Sequence, residues 1–358
     1  MSTDNPNNYG SFSYDTPPHL PPMGQIPPQP RRSVLGPSIL GCSLGCGGLL
    51  IAFFLIGMLF AGVGAITQAI EKSNEVTRVY VAGESSAAKR IAILQIHETL
   101  EDTDGFINDQ IEDILLDDTV QAVILRMDTP GGTVSASDFF YNKLTKLREK
   151  RNIPILVSMG GVCASGGYYI SMAVGKEAEN VIFAEPTTWT GSIGVILSHY
   201  NLSKLAEKIG LEESAIRSHE LKGMGGLFRP LTDQERTILQ ELVDDAFQRF
   251  QEVVHSGRKK FHDNPAALSE LATGQVFTTS QALENGLIDK QGYLEDVIDR
   301  ALEMTGLTRE DAEIYTYEAT PTLASLLSST SEKMDENAVT TLQDALSPRA
   351  CYLWTVGQ

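Results

Sequence analysis

Charge is missing altogether from residues 33–70, the longest stretch of its kind in a chain of 358 residues. Cysteine is scarce at four, and two of those, Cys42 and Cys46, fall inside that uncharged stretch. Cys163 and Cys351 are too far apart in sequence to suggest a disulfide framework, and no His/Cys/Asp/Glu set repeats at metal-ligand spacing. Positive charge is also short: 28 Lys+Arg stand against 46 Asp+Glu, a net charge of -18. Residues 1–70 carry only Asp4, Asp15, Arg31 and Arg32, so the whole excess lies on residues 71–358. Such an acidic body repels phosphate, which excludes a nucleic-acid binder. The uneven placement of charge excludes a uniform soluble globule, and the composition excludes collagenous, disulfide-rich and fully disordered classes.

What is present falls into segments. Residues 1–32 are rich in Pro, Asn, Ser and Tyr, with too little apolar surface to offset chain ordering, and read as a disordered tail. Residues 33–70 read as a transmembrane anchor, because the run Gly47–Thr67 alone meets the roughly 20 apolar residues a bilayer-spanning helix needs. A signal peptide would have a shorter apolar region nearer the start of the chain. Arg31 and Arg32 precede the run directly, so the positive-inside rule places the tail in the cytoplasm and residues 71–358 across the membrane. Residues 71–88 read as a linker, 89–320 as a catalytic-sized domain, and 321–358 as a Ser/Thr-rich polar tail.

The domain alternates apolar runs with helical patterns. Ile91–Ile96, Gln121–Met127, Ile155–Ser158 and Val181–Phe183 predict buried strands. Gly105–Leu116, Ser135–Lys150, Gly166–Val174, Asn201–Ile209, Thr232–Ser256 and Ser280–Gly286 predict helices. This is the pattern of an α/β fold.

Three glycine-bearing segments follow strands. They are Asp128-Thr129-Pro130-Gly131-Gly132, Gly160–Tyr169 with Ala164-Ser165-Gly166-Gly167 at its centre, and Gly191-Ser192-Ile193-Gly194. A serine at a strand-to-helix turn with bare amides behind it has the geometry that an oxyanion site needs. Taken singly, a serine among glycines is ordinarily a turn or an N-cap. Together with Arg217–Lys222, Arg229–Thr232, Ala272–Thr278 and Gln281–Asp289, the segments resemble the signal peptide peptidase A family of membrane-bound serine proteases (peptidase family S49), over Lys89–Tyr317.

The resemblance implies a Clp protease/crotonase-like fold of repeated ββα units in a spiral, preceded by one transmembrane helix. It implies a serine endopeptidase with a Ser–Lys dyad: Ser165 as nucleophile, Lys222 as general base, Ser192 orienting the lysine, and the amides of Gly131, Gly132 and Gly166 as the oxyanion hole. No cofactor or metal is implied. The expected substrates are signal-peptide remnants or membrane-derived peptides. The expected assembly is a homo-oligomer whose sites are shared between subunits, and the expected location is the bacterial cytoplasmic membrane with the catalytic domain outside. A free lysine has a pKa near 10.4, so a basic Lys222 calls for burial, and Leu221 and Gly223–Leu227 supply apolar neighbours.

Some positions depart from the family pattern. Asp128-Thr129 replaces the commoner Asn-Ser, and the Asp128 carboxylate either alters the electrostatics of the active-site turn or forms an ion pair with Arg126. His219-Glu220 puts a carboxylate near the lysine, Gln275 stands where arginine is frequent, and Glu177–Asn180 reads as a short surface insertion. Three rival readings follow from other weightings of these residues. One is a Clp-type triad using His199, one a non-catalytic scaffold or quality-control protein on the same fold, and one a crotonase-like acyl-CoA enzyme.

Overall fold

The apolar runs become parallel strands at the centre of a large sheet. The computed structural model describes residues 76–319 and 349–354, all within one compact unit spanning Ala65–Gln358. The tail 1–32, the anchor 33–70, residues 71–75 of the expected linker, and residues 320–348 and 355–358, which hold most of the expected polar tail, lie outside the described residues. Among the described residues no helix is long and apolar enough to cross a membrane.

The strands of the main sheet are β1 (Val76–Gly83), β2 (Lys89–Ile96), β3 (Val120–Thr129), β5 (Ile155–Ala164), β6 (Ile182–Ala184), β10 (Lys290–Gln291) and β11 (Ala312–Ala319). Their order is β1-β11-β2-β3-β5-β6-β10; β7 (Trp189–Gly191) pairs with the far end of β5 and with β9 (Val276–Thr278). All neighbours from β11 to β10 along this order run parallel. Parallel strands are covered on both faces, which is why Ile91–Leu94 and Ala122–Leu125 are unbroken apolar stretches, almost wholly buried. The eight-residue strand β1 falls in the expected linker and is antiparallel to β11.

Helices supply the cover. The first, α1 (Phe106–Leu116), turns Ile107, Ile111 and Ile114 inward at helical spacing. In α2 (Val134–Arg151), which starts at the Thr133 cap, Ala136, Phe140, Leu144 and Leu147 are buried. Next come α3 (Gly166–Ser171) and α4 (Ser203–Ile209). The longest, α5 (Asp233–Gly257), opens on a capping box between Thr232 and Glu235. The remaining helices are α6 (Lys259–Asp263), α7 (Pro265–Leu271), α8 (Thr279–Asn285) and α9 (Leu294–Thr305). Several of the sequence motifs prove to be structural fasteners. Arg258 pairs with Asp289 at 2.7 Å, and Asp289 also accepts the amides of Val181 and Ile182, tying the α8–β10 connection to β6.

A second, three-stranded sheet sits at the carboxyl end of the parallel strands. Its order is β4 (Gly131–Thr133), β12 (Ala350–Leu353), β8 (Ile196–Leu197), with β12 antiparallel to both neighbours. Composition assigns residues 350–353 to a polar tail; instead they form the middle strand of this sheet.

Candidate active site

Ser165 occupies the turn between β5 and α3, with φ 54 and ψ -112, a region that side chains other than glycine seldom enter. Its amide donates to the Gly191 carbonyl at 2.8 Å, and its own carbonyl accepts from Tyr169 at 2.9 Å. The residue is almost fully buried. The glycine after it is closely packed: a Cβ at Gly166 would stand 2.4 Å from Ser137 Oγ, so that side chain would have to shift. Cys163, two residues upstream, is no competing nucleophile, since complete burial pushes its thiol up to about 12 and keeps it protonated at neutral pH.

Ser192 lies on the turn after β7, also at positive φ (50). Its amide donates to the Gln275 carbonyl at 2.8 Å and its hydroxyl to the Gly274 carbonyl at 3.0 Å. Ser165 and Ser192 line one cleft of about 440 Å³. Its walls are Ile193–Ile196, Val243 and Phe247 of α5, Ala272–Gly274, Leu353 and Trp354, and Asp244 is its one carboxylate.

The Pro-Gly-Gly turn after β3 comes to the same place. Gly131 has φ +101, and a Cβ there would lie 2.1 Å from the Tyr352 carbonyl oxygen and 2.6 Å from the Gly166 amide nitrogen. Of the three expected oxyanion donors, Gly131 donates its amide to Thr129 Oγ1 at 3.2 Å, so that N–H is already engaged. Gly132 stands opposite Tyr352 in the ladder between β4 and β12, and Gly166 follows the serine. A Cβ at Gly166 would be 3.1 Å from both the Gly132 amide nitrogen and the Tyr352 carbonyl oxygen. The Tyr352 carbonyl oxygen therefore lies close to the backbone of Gly131, Gly132 and Gly166.

Two charged residues stand differently from what their neighbours in sequence suggest. Lys222 is exposed, on a 3-10 turn spanning Glu220–Gly223, and is not among the residues lining the Ser165 cleft. Its apolar neighbours in sequence do not bury it, because the preceding residues 211–220 are exposed throughout. Arg229 anchors this turn by donating to the Gly223 carbonyl at 2.7 Å while pairing with Glu235 of α5. Asp128 does not pair with Arg126. Arg126 binds Glu185 at 2.7 Å, and Asp128 Oδ1 accepts the Val162 amide at 3.0 Å, bracing the strand that leads to Ser165. His199 is also outside the cleft lining, and its Nε2 is buried without a hydrogen-bond partner. Among the described residues no group of three or more His, Cys, Asp or Glu could hold a metal ion.

Sequence reasoning missed β12, the Gly274 carbonyl and the α5 wall. The Gly274-Gln275 motif and the predicted helix over Thr232–Ser256 were the signals that pointed towards them.

The chain resembles several known proteins over this region. The model of peptidase family S49 matches residues 147–308. A candidate protease of Synechocystis is 36% identical over 245 residues, covering 68% of this chain and 79% of the relative. A candidate signal peptide peptidase SppA of Enterococcus faecium is 35% identical over 258 residues, covering 68% of this chain and 71% of its own. A solved membrane-bound stomatin-specific protease aligns over 65% of this chain and 100% of its own, at 16% identity and a TM-score of 0.41. With two relatives matched over most of their length, the chain belongs to peptidase family S49.

Proposed function

We propose that this chain is a membrane-anchored serine endopeptidase that cleaves extended peptides, remnants of signal peptides and other membrane-derived segments among them, at Ser165. One observation carries the reading. Beside Ser165 the fold already seats an extended chain, since Ala350–Leu353 run between β4 and β8 as an antiparallel strand and form one wall of the cleft. Backbone pairing on both sides gives a slot that binds peptide main chain whatever its sequence, with side-chain pockets to select among peptides. On this reading the α/β domain is of the Clp protease/crotonase type, and residues 33–70 hold it at the outer face of a bacterial cytoplasmic membrane.

The chemistry follows from the groups at hand. Ser165 Oγ attacks the scissile carbonyl as a neutral lysine amine takes its proton. The resulting oxyanion is met by the amides of Gly132 and Gly166. The lysine then protonates the leaving amine, and water activated by the same amine hydrolyses the acyl-enzyme. Lys222 is assigned as this base, supplied by a neighbouring copy of the chain. Its exposure supports that assignment, as do the exposed Leu205, Ile209, Leu211 and Ile216 of the segment preceding it, which a second subunit would cover. Covering the lysine would also strip water from its ammonium, which favours the neutral form. Ser192 then orients the incoming amine.

The test is labelling of detergent-solubilised full-length protein with a fluorophosphonate, alongside hydrolysis of a signal-peptide substrate. Wild type is expected to label and cleave, and Ser165→Ala to do neither. Cleavage that survives in Ser165→Ala would remove the serine from the mechanism.

A further inference from the structure

We propose that a second cavity, at the opposite end of β5 from Ser165, binds short apolar peptides with free ends. The proposal stands independently of the protease reading. Ile155 opens β5 and lines this cavity, whereas Ser165 follows the last residue of the same strand. The cavity measures about 770 Å³, within the range of about 300–1,000 Å³ that small-ligand sites occupy. No residue that lines it also lines the Ser165 cleft.

Its lining combines apolar surface with balanced charge. Ile153, Met172 and Val174 are buried, and Met304 of α9 adds an exposed apolar edge. Four charged side chains join them, Arg148 and Lys176 against Glu149 and Glu177. The signs cancel, so the lining suits a molecule that carries both charges; a bare anion would leave the carboxylates unmatched. Arg148 is held in place, its Nη1 donating to the Ala173 carbonyl at 2.6 Å and its Nη2 pairing with Glu149 at 3.3 Å. Gly175, at φ +81, makes room for the guanidinium, because a Cβ there would run into Nη1. A guanidinium has five N–H donors, so several remain for a ligand carboxylate. Hydroxyls complete the lining. Tyr141 Oη and Ser256 Oγ lie 3.0 Å apart, and Thr145 carries a buried hydroxyl without a hydrogen-bond partner. Buried polar atoms are nearly always satisfied, so an unpaired one here points to a polar ligand group. The short insertion Glu177–Asn180 contributes Glu177 and Ala178, so a departure from the family pattern helps to build this cavity.

A free peptide of two or three apolar residues answers each of these features. Its carboxylate would meet Arg148, its ammonium the carboxylates of Glu149 and Glu177, and its side chains Met172 and Met304. Met172 directly follows α3, the helix that begins after Ser165, so an occupant touches the far end of the nucleophile helix. Blocking either end of the peptide should weaken binding by about tenfold, the worth of one charge-assisted hydrogen bond. Removing both apolar side chains should weaken it by about a hundredfold.

The experiment uses detergent-solubilised full-length chain carrying Ser165→Ala, so that no peptide is turned over. Leu-Leu, N-acetyl-Leu-Leu, Leu-Leu amide and Gly-Gly are titrated by calorimetry. Leu-Leu should bind, the two blocked forms more weakly, and Gly-Gly most weakly. No measurable binding of Leu-Leu, or an affinity for any of the other three equal to its own, overturns the proposal. Met304→Trp, at an exposed position, fills the cavity and should abolish binding of Leu-Leu. Undiminished binding in that variant would place the peptide elsewhere, the Ser165 cleft included, and also overturns it. Glu149→Gln combined with Glu177→Gln changes two exposed positions. The pair should weaken Leu-Leu by about tenfold and leave N-acetyl-Leu-Leu unchanged, since that ligand has no ammonium. An equal loss for both ligands, or a loss for neither, removes the carboxylates from recognition and overturns the proposal.

Discussion

The amide of Ser165 donates to the carbonyl of Gly191 at 2.8 Å, so the turn bearing one cleft serine is fastened to the turn bearing the other. The ladder between β5 and β7 repeats the link, with Ala164 opposite Gly191 and Thr190 Oγ1 donating to the Cys163 carbonyl at 2.7 Å. Strain at Ser165 and at Ser192 is therefore held by a common set of bonds.

Gly191 is the weak point of that arrangement. It has φ +84, and a Cβ there would meet the Phe277 ring at 2.6 Å. Gly191→Ala is expected to cost about 2 kcal/mol in folding stability and to lower kcat by more than tenfold. A thermal melt with parallel kinetics checks both, and activity that survives the loss of stability would uncouple the turn from the site.

The proposed sharing of the site between copies predicts complementation. Ser165→Ala and Lys222→Ala should each be inactive as pure populations, with kcat down by about a thousandfold or more. Mixing the two before assembly should restore a fraction of wild-type rate, because some contacts then unite an intact serine with an intact lysine. A mixture as inactive as its parents would place both groups on one chain.

The pairing of Arg229 with Glu235 makes an acid-dependent term in stability. The Arg229 hydrogen bond, opposed by burial and helped by the Thr232 amide, brings the Glu235 carboxyl down to about 2, against about 4.3 for an unfolded glutamate. Because the folded value is depressed, the contribution is fully present above pH of about 4.3 and is lost as pH falls towards about 2. Arg229→Gln should lower stability by about 2 kcal/mol at pH 7, a value discounted because the arginine is partly exposed. The gap between variant and wild type should narrow between pH 4.3 and pH 2. A gap of the same size at pH 7 and pH 2 contradicts the linkage.

Asp128 acts as an acceptor for the Val162 amide, and an amide side chain can do the same. Asp128→Asn should leave stability within about 0.5 kcal/mol of wild type, while Asp128→Ala should cost about 1 kcal/mol by orphaning that N–H. Chemical denaturation of the three proteins measures the difference.

Much of this was legible in the residues. Ile91–Leu94 and Ala122–Leu125 announce buried parallel strands because no polar face interrupts them. The turn at Ser165 is legible because Gly166 and Gly167 follow a long strand and precede a short apolar helix. The position of Lys222 was not legible, since Leu221 and Met224 describe its chain neighbours and not the exposed loop that holds it away from the cleft. Nor was β12: Cys351-Tyr352-Leu353 is too short to declare a strand, and it becomes one only because β4 and β8, more than 150 residues earlier, offer their edges. Distance along the chain hides such pairing from any local pattern.

The sequence holds only two tryptophans, Trp189 and Trp354. They meet edge to face, with centroids 5.3 Å apart, one on β7 and the other just past β12. The tryptophan emission of the protein thus arises at a single spot beside the cleft. Withdrawal of β12, or its displacement by a peptide, would part the two indoles and change the spectrum without any label, so occupancy of the slot can be followed by light alone.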